Sequence, residues 1–597
     1  MSHASLVHKR IRTLLFVTFA LFGVIVGQLI SVQVVRAGTI SERAITELLR
    51  TSTLLAPRGS ISDVNGVELA RSVAAITIIV DQTQISDPEL TAKITSEPLA
   101  MSEAELIDLY TGELKYKIIV KSAKPAMWVK LQNTISDYNS EVMKENDGIT
   151  RRVFGFFSER AYVREYPTGI LASSLIGFIN YEGVGAAGIE SSLNSELSGV
   201  NGQYVYENGS GTVIPGSAKI RTEAKPGTSV RLTVDRDIQW VAQDAISRAV
   251  KNSNAKSGTV IVMDPKTGAI LAQASAPTFN PAKPIIGDLS VIRNPAVQDV
   301  YEPGSTGKVI TYAAALEESI LLPESVYTVP YAMRVSGTRF SDHERHPTLR
   351  LTATGALANS SNTAAIKIGQ ELGSEKLYKY LTNFGFGKST GSHLPGESPG
   401  LLRPISDWSG TSLPTFSYGQ GYSVTALQAT SVFATIANDG VRVTPTVVAG
   451  RTDASGNYVP EKGQTAKRVI SAASAIEIRK MLESVVSENG TAPTAAIPGY
   501  RVAGKTGTAM KHNSACNCYS GYTASFIGFA PADKPAYVVN VTIQEPQGMH
   551  WGGVLAGPVF SKVMKFALQA NHIAPTQTNL RPYLLTEQQL LKSSKAK

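Results

Sequence analysis

The feature that most constrains how this chain can fold is a long uncharged segment near its start. No charged residue occurs between Arg12 and Arg36, and the 23 residues from Thr13 to Val35 are mostly apolar. As a helix they would extend roughly 35 Å, at about 1.5 Å per residue, which is enough to cross a bilayer. We therefore predict a transmembrane anchor at residues 13–35.

The charges that flank this segment predict its orientation. Residues 1–12 contain Lys9, Arg10 and Arg12 but no acidic residue, which favours a cytoplasmic tail and an extracytoplasmic location for the rest of the chain. A cleaved signal peptide is the alternative. Its apolar part is normally only about 7–15 residues long and ends at a small-residue cleavage site, so the uncleaved anchor is favoured.

Composition limits the remaining possibilities. Of the 597 residues, 43% are hydrophobic and 18% charged, which excludes a disordered chain, a collagen and a coiled coil. The only cysteines are Cys516 and Cys518, so neither a disulfide scaffold nor a cysteine-rich zinc protein is expected. The net charge is +9, but no dense Lys/Arg tract accompanies it, and we predict no nucleic-acid partner.

The pattern along the chain changes at Lys225-Pro226-Gly227, which predicts a domain boundary. Before it, residues 37–225 alternate strand-like runs with helical patches, such as a strand at 74–80 and a helix at 102–114. No convincing set of catalytic carboxylates is found in this part of the sequence.

Residues 226–574 have the pattern of one α+β domain. They contain a predicted hairpin, then a mostly helix-periodic middle from about 305 to 440, then further strands. This order indicates a sheet with a helical lobe. The predicted strands are 258–263, 269–274, 500–503, 523–528 and 536–543. The polar residues 575–597 predict a flexible tail.

Three short motifs in this half carry residues suited to acyl transfer. The first is Ser305 with Lys308, which lie three residues apart and therefore on one face of a helix. A serine hydroxyl needs a base to take its proton, and a lysine can do so when burial or a nearby cation lowers its pKa. The same spacing recurs at Ser253 and Lys256, so it has little weight alone.

The other two motifs follow in order. Ser360-Ser361-Asn362 comes next, and Lys505-Thr506-Gly507-Thr508 ends a strand-like run, where it offers a cation, hydroxyls and backbone N–H groups to a carboxylate. Each has a copy elsewhere, for example Lys266-Thr267-Gly268 in the predicted hairpin turn. Only the set that begins at Ser305 has all three in order with the last on a strand.

This order is that of the penicilloyl-serine transferases, and the chain resembles a class B high-molecular-weight penicillin-binding protein of the division (FtsI-like) type. The likeness extends over nearly the whole chain. Further segments that carry it are Arg58-Gly59-Ser60, Arg164-Glu165-Tyr166-Pro167, Gly188-Ile189-Glu190, Arg293-Asn294-Pro295-Ala296, Gly419-Gln420-Gly421 and Ser525-Phe526-Ile527-Gly528.

The resemblance implies a fold and a set of roles. The fold would be α+β: a transmembrane helix, an elongated mixed α/β pedestal at 37–225, and a serine β-lactamase-like transpeptidase domain at 226–574, whose five-stranded antiparallel sheet is flanked by helices and an all-helical lobe. The catalytic residues it implies are Ser305 as nucleophile, Lys308 as general base, Ser360 as proton shuttle, Asn362 as orienting amide and Lys505 as a source of positive potential. The substrate-binding residues it implies are Thr506 and Thr508 for a carboxylate, Gly507 to leave room for the substrate, and the N–H groups of Ser305 and Thr508 as the oxyanion hole.

The implied reaction is the cross-linking of peptidoglycan stem peptides in septal cell-wall synthesis, and β-lactams would acylate the same serine. No metal or organic cofactor is implied. The implied partners are stem peptides, glycan derived from lipid II, a septal glycosyltransferase and other division proteins. Three alternatives stay open: an elongation-type enzyme, a non-catalytic division scaffold, and a protein of the same fold that hydrolyses or senses β-lactams.

The segment from Lys511 to Tyr519 departs from the family pattern. It contains both cysteines, two residues apart, near His512. We expect two unpaired surface thiols, and the alternatives are a disulfide between them or a metal site with His512. We also expect His343 and His346 to be surface residues, because the histidines lack zinc-protease spacing.

Overall fold

The protein is described here from a computed structural model. It covers residues 3–35, 38, 49–144, 151–209, 212–213, 219–283, 288–453, 455–513, 516, 518–576 and 582–595. The helices are α1 His3–Ile30, α2 Pro88–Leu99, α3 Glu103–Tyr110, α4 Pro125–Val142, α5 Ser173–Ile176, α6 Gly188–Ser192, α7 Asn194–Leu197, α8 Arg236–Asn252, α9 Pro295–Gln298, α10 Lys308–Glu317, α11 Ala353–Ala358, α12 Asn362–Leu372, α13 Ser374–Asn383, α14 Ser412–Ser417, α15 Ala426–Ala437, α16 Ala472–Val486, α17 Gly552–Ala570 and α18 Glu587–Lys595. The strands are β1 Leu49–Leu54, β2 Ile61–Ser62, β3 Glu68–Val80, β4 Lys117–Ala123, β5 Phe156–Glu165, β6 Gly202–Gly209, β7 Thr212–Val213, β8 Lys219–Thr222, β9 Val230–Leu232, β10 Ser257–Met263, β11 Ile270–Ala276, β12 Val326–Val329, β13 Ala332–Val335, β14 Thr338–Ser341, β15 Leu349–Thr352, β16 Val441–Val443, β17 Val448–Thr452, β18 Tyr458–Pro460, β19 Ala466–Arg468, β20 Ala503–Asn513, β21 Cys518–Ala530 and β22 Tyr537–Gln544.

Helix α1 is the predicted anchor. The stretch Val7–Val34 has a mean hydropathy of 2.3, and none of it is buried by the rest of the protein. Its 28 residues are long and apolar enough to cross a bilayer, which is the property expected of a single-pass membrane anchor.

The chain forms two compact units. The first comprises Met1–Pro57, Ala74–Tyr162 and Gly199–Gly227, and the second comprises Arg58–Val73, Val163–Ser198 and Thr228–Lys597. Two segments that the sequence places before the boundary at residue 225 therefore belong to the second unit. The linear boundary itself stays a prediction.

The first unit has its own small core. Helices α2, α3 and α4 pack together around residues such as Leu99, Leu106 and Tyr110. The predicted helix at 102–114 is present but shorter: Ser102 caps it by accepting from the N–H of Glu105, and it ends at Tyr110. A separate antiparallel sheet is formed by β1, β6, β7 and β8.

A buried ion cluster organises the start of the second unit. Glu190 accepts from Nε of Arg58 at 2.6 Å and from Nε of Arg164 at 2.7 Å, and its side chain is fully buried. Arg164 also donates to the carbonyl of Gly59 at 2.8 Å. Since a buried charge is costly unless it is paired, these three side chains hold their backbone segments together. This explains why the early Arg58 and Arg164 motifs join the second unit.

The second unit is built on a five-stranded sheet in the order β11-β10-β22-β21-β20. All neighbouring strands are antiparallel, as the resemblance implies. Helices α8, α16 and α17 pack against it, and so does α15, whose twelve residues are all buried. The predicted strand at 500–503 is misplaced, because β20 begins at Ala503 and runs to Asn513. This places the third motif on an edge strand.

The middle of this unit is less helical than the sequence predicts. Four short strands lie between Val326 and Thr352, and they pair as β12 with β15 and β13 with β14. The loop between β14 and β15 contains the two histidines that were expected at the surface.

Residues 582–595, called the strap below, dock on β15. The N–H of Thr352 donates to the carbonyl of Leu585 at 3.1 Å, and its hydroxyl donates to the carbonyl of Leu584 at 2.7 Å. Arg350 makes two hydrogen bonds to Glu587, at 3.0 and 2.7 Å. The sequence predicts a flexible tail here, but backbone pairing and an ion pair give this part of the tail a defined place.

A glycine makes room for the strap. A Cβ added to Gly355, in the first turn of α11, would lie 1.9 Å from the carbonyl oxygen of Leu585. Helix α11 leads directly to the second motif, so the strap supports the backbone that precedes Ser360.

Candidate active site

Ser305 lies in a tight turn at the start of α10. The turn Gly304–Thr306 is a 3-10 turn, Gly304 has a φ of +55°, and the Ser305 residue is 6% exposed. The N–H of Gly304 donates to the carbonyl of Gly419 at 2.8 Å, and a Cβ on Gly419 would lie 1.8 Å from the oxygen of Gly304. The serine turn therefore packs directly against the backbone of the Gly419-Gln420-Gly421 segment.

Gly507 is needed on the other side of this turn. A Cβ added there would lie 2.3 Å from Oγ of Ser525 and 3.1 Å from both the Pro303 carbonyl and the Thr306 side chain. The resemblance implies that Gly507 leaves room for the substrate. That role stays a prediction, and the structure shows a second reason for glycine here: without a side chain, β20 can pack against the turn that carries Ser305.

Ser360 is the point at which the motifs meet. The amine of Lys308 donates to the backbone carbonyl of Ser360 and lies 3.3 Å from its hydroxyl oxygen. The amine of Lys505 lies 2.9 Å from the same hydroxyl and also reaches the Thr506 hydroxyl at 3.2 Å. Ser360 itself has a φ of +57°, a strained conformation for a serine.

Burial changes the protonation of both amines. Lys308 and Lys505 are fully buried. Burial lowers the pKa of Lys308 from 10.5 to about 7, and the Asp342 carboxylate only partly opposes this. Burial, with the neighbouring Lys308, also lowers the pKa of Lys505 well below its usual value. Because both amines contact the same hydroxyl, a positive charge on one amine disfavours protonation of the other. At least one of the two amines is therefore neutral near pH 7.

The site opens into a cavity of about 520 Å³. Ser305, Ser360, Thr506 and Thr508 line it together, although they are far apart in the sequence. The remaining walls come from the loop at 342–346, from 489–491 and from 551–554. Residues with hydroxyl groups thus border a volume large enough for the end of a peptide. The two buried lysines contact Ser360 in the wall of this cavity.

Some predicted contacts have other partners in the structure. The amide nitrogen of Asn362 donates to the carbonyl of Ser341 at 2.9 Å, and its orienting effect on Lys308 stays a prediction. The Thr508 hydroxyl accepts from the N–H of Gly552 at 3.1 Å, and the Thr506 and Thr491 hydroxyls lie 3.0 Å apart. The oxyanion hole also stays a prediction.

The loop at 342–346 also belongs to the site, although none of the sequence motifs includes it. Asp342 is not in any of the three motifs, yet it contacts the backbone of the second motif and lines the cavity. His343 is exposed as expected, but it also lines the cavity. The side chain of His346 is mostly buried, at 18% exposure, and it contacts Asp342, so the prediction of a surface residue is inaccurate. Only the density of charge in this loop could have drawn attention to it.

The expectation of free thiols is wrong. Cys516 and Cys518 are joined by a disulfide, at the far end of the hairpin formed by β20 and β21. Both residues are exposed. Their sulfurs are bonded to each other, which removes them as thiolate ligands for the metal alternative. Within the described residues, no group of three or more His, Cys, Asp or Glu side chains could hold a metal ion.

A five-stranded antiparallel sheet packed against helices, and two buried lysines that meet on a serine hydroxyl at a cavity lined by a second serine, are typical of the serine acyltransferases of the penicillin-recognising fold. Comparison with known proteins agrees. Residues 258–565 match the penicillin-binding protein transpeptidase domain, and residues 53–232 match the penicillin-binding protein dimerisation domain. The chain belongs to the class B penicillin-binding proteins of the division type.

Individual relatives match over nearly the whole chain. Penicillin-binding protein PbpB of Mycolicibacterium smegmatis is 35% identical, over 92% of this chain and 88% of its own length. Peptidoglycan D,D-transpeptidase FtsI of Escherichia coli is 30% identical, over 96% and 94%. The crystal structure of penicillin-binding protein 3 from Mycobacterium tuberculosis in complex with aztreonam has a TM-score of 0.70 and 30% identity, and the match covers 90% of this chain and 100% of that one.

Proposed function

We propose that the protein is a membrane-anchored peptidoglycan D,D-transpeptidase that cross-links stem peptides in septal cell-wall synthesis and is acylated by β-lactams. One observation carries the proposal: two buried amines meet on the Ser360 hydroxyl, in the wall of the cavity that Ser305 also lines. The names of the relatives, peptidoglycan D,D-transpeptidase among them, support the same activity.

In the first step Ser305 is acylated by a donor stem peptide. The neutral Lys308 amine takes the proton of the Ser305 hydroxyl, and the oxygen forms a bond to the penultimate D-Ala carbonyl carbon. The C–N bond to the terminal D-Ala breaks, and the proton passes through Ser360 to the leaving amine. Lys505 supplies positive potential, and the Thr506 and Thr508 hydroxyls bind the terminal carboxylate.

In the second step an acceptor amine replaces the serine. The amine of a neighbouring stem attacks the ester carbonyl, a C–N bond forms, and the C–O bond to Ser305 breaks. The proton of the amine returns to the Ser305 oxygen through Lys308. A β-lactam acylates the serine in the same way, but its leaving group stays attached, and the acyl-enzyme persists.

We further propose the topology and the partners. Residues 1–12 lie in the cytoplasm, 13–35 cross the membrane, and residues 37–225 form a pedestal that carries a catalytic domain at 226–574 outside the cell. The pedestal serves a glycosyltransferase that polymerises lipid II and other septal proteins. The apolar helix Val7–Val34 and the match at 53–232 support this arrangement.

Labelling with a fluorescent penicillin tests the nucleophile. The wild-type chain should bind one label, and Ser305→Ala should bind none. The matched control is Ser253→Ala, because Ser253 and Lys256 have the same spacing without the other motifs. Equal labelling of wild type and Ser305→Ala would remove Ser305 as the nucleophile.

The alternatives make different predictions in the same assay series. A β-lactam hydrolase would turn over a chromogenic cephalosporin, whereas a transpeptidase should give a stoichiometric burst followed by very slow release. A non-catalytic scaffold would allow Ser305→Ala to restore septation fully in cells depleted of the wild-type protein. An elongation-type enzyme would, on depletion, give round or widened cells rather than filaments.

A further inference from the structure

Asp342 caps the helix that carries the second motif. It follows β14, and its side chain is 9% exposed. Its Oδ1 accepts from the backbone N–H of Asn362 at 2.5 Å and of Thr363 at 3.0 Å. Its Oδ2 accepts from the hydroxyl of Ser361 at 2.7 Å. One carboxylate thus satisfies two N–H groups that the first turn of α12 leaves without partners.

This cap fixes the chain on one side of Ser360. Two backbone hydrogen bonds to α11 fix the other side. The N–H of Ser360 donates to the carbonyl of Leu357 at 3.1 Å, and the N–H of Ser361 donates to the carbonyl of Ala356 at 2.9 Å. Between these attachments the backbone of Ser360 has its strained positive φ, and its hydroxyl faces the two amines. A strained conformation persists only when its surroundings hold it, and here the capping carboxylate is one of the two holders.

His346 holds Asp342 in turn. Its Nε2 lies 3.0 Å from Oδ2 of Asp342, and its Nδ1 lies 2.7 Å from the carbonyl oxygen of Pro347. Both neighbours are acceptors, and a neutral imidazole has only one N–H. The geometry therefore fits the imidazolium, which donates both hydrogen bonds. Burial alone would lower the pKa of His346, but the Pro347 carbonyl and the Asp342 carboxylate raise it overall.

We propose that Asp342 and His346 are positioning residues for the transpeptidase reaction: they hold Ser360 where it can exchange a proton with Lys308 and Lys505. The inference rests on the proposed function and deepens it. Neither residue belongs to the three motifs. The titratable or charged groups that surround the pair are Lys308, Lys505, Tyr312, His343, Glu344 and Tyr331, the last with its ring edge-on to His346.

The charge of Asp342 gives the proposal a signature that a purely structural role lacks. Its carboxylate raises the pKa of Lys308, against the effect of burial. Asp342→Asn removes this charge. It also replaces one accepting oxygen by an NH2 group, which cannot accept from the donors that Asp342 now binds. Acylation by penicillin should slow about tenfold, because small displacements of a proton-transfer group are costly. The midpoint of the pH–rate profile should move to lower pH. Asp342→Glu keeps the charge, so it should acylate slowly with an unmoved midpoint.

His346→Gln tests the second member of the pair. Below its raised pKa, His346 is protonated and donates both hydrogen bonds. One of the two is lost as the pH rises through that pKa. The pH dependence of wild-type acylation should therefore contain the titration of His346 as well as that of Lys308. Gln has no such titration, so His346→Gln should lower the maximum about threefold and remove the contribution of His346 from the pH–rate profile.

The experiment measures the second-order rate of labelling by fluorescent penicillin between pH 5.5 and 9, on the full chain in detergent. The matched control is Asp453→Asn, because Asp453 also accepts from two backbone N–H groups, of Ser455 at 2.9 Å and Asn457 at 2.8 Å, in an exposed turn away from the cavity. It should leave rate and midpoint unchanged.

The proposal is overturned by either of two results. One is an Asp342→Asn protein whose midpoint stays at the wild-type pH, whatever its rate. The other is a His346→Gln profile that superimposes on that of the wild type, a test that remains available if the Asp342 variants do not fold. Failure of the proposed function looks different, because wild type and Ser305→Ala would then label equally.

Discussion

Acylation of Ser305 should accelerate as the pH rises through about 7, because Lys308 must lose its proton before it can act as a base. Burial lowers its pKa from 10.5 to about 7. The neutral fraction of the amine is then about 9% at pH 6 and about 91% at pH 8, so the rate constant should rise about tenfold. An ordinary lysine would be only about 0.3% neutral at pH 8.

The assay is the initial rate of labelling by a fluorescent penicillin at several concentrations, from which the second-order constant is obtained at each pH. Because Lys505 contacts the same hydroxyl, the midpoint belongs to the pair of amines. Total labelling at long times serves as the control for folding and should not depend on pH. A rate that is flat between pH 6 and 8, or a midpoint above about 9, would refute a role for the neutral Lys308 amine as base.

Three further predictions concern packing. Gly355→Ala places a Cβ where the Leu585 carbonyl now lies, and it should lower the thermal midpoint and slow acylation as much as deletion of the strap; a stable, fully active variant would contradict this. Glu190→Gln leaves two buried arginines without their carboxylate and should lower the free energy of unfolding in urea by about 3–5 kcal/mol. The control Glu68→Gln, in an exposed pair, should lower it by under about 1 kcal/mol. Equal effects would contradict a structural role for the buried cluster. Gly507→Ala should reduce penicillin labelling, because its Cβ displaces the serine turn; undiminished labelling would disprove that packing role.

The sequence predicts the chemistry of the site better than its support. Ser305, Ser360 and Lys505 are recognisable because their motifs occur in a fixed order, and the structure agrees with that order: Ser305 and Ser360 line one cavity, and Lys505 contacts Ser360. The strand-like runs after the helical insert predict further strands, but the bounds of β20 and its edge position come from the structure.

The supporting residues could not be predicted in this way. Asp342 reaches the start of α12 from a separate loop, and a capping contact between distant segments leaves no local pattern in the sequence. The strap has a polar composition typical of a loose tail, but its hydrogen bonds to Thr352 and the ion pair between Arg350 and Glu587 give it a fixed position. The free thiols were predicted wrongly because spacing alone does not determine how a hairpin end brings Cys516 and Cys518 together.

The pairing of the strap with β15 has a consequence for handling the protein. A chain shortened to residue 574 keeps every catalytic side chain, but it leaves the edge of β15 at Leu351 and Thr352, on the side away from β12, without its backbone partner. An unpaired strand edge is a template for self-association. Such a shortened chain should therefore oligomerise through this edge and lose penicillin reactivity slowly on storage, a defect easily mistaken for damage to the catalytic groups themselves.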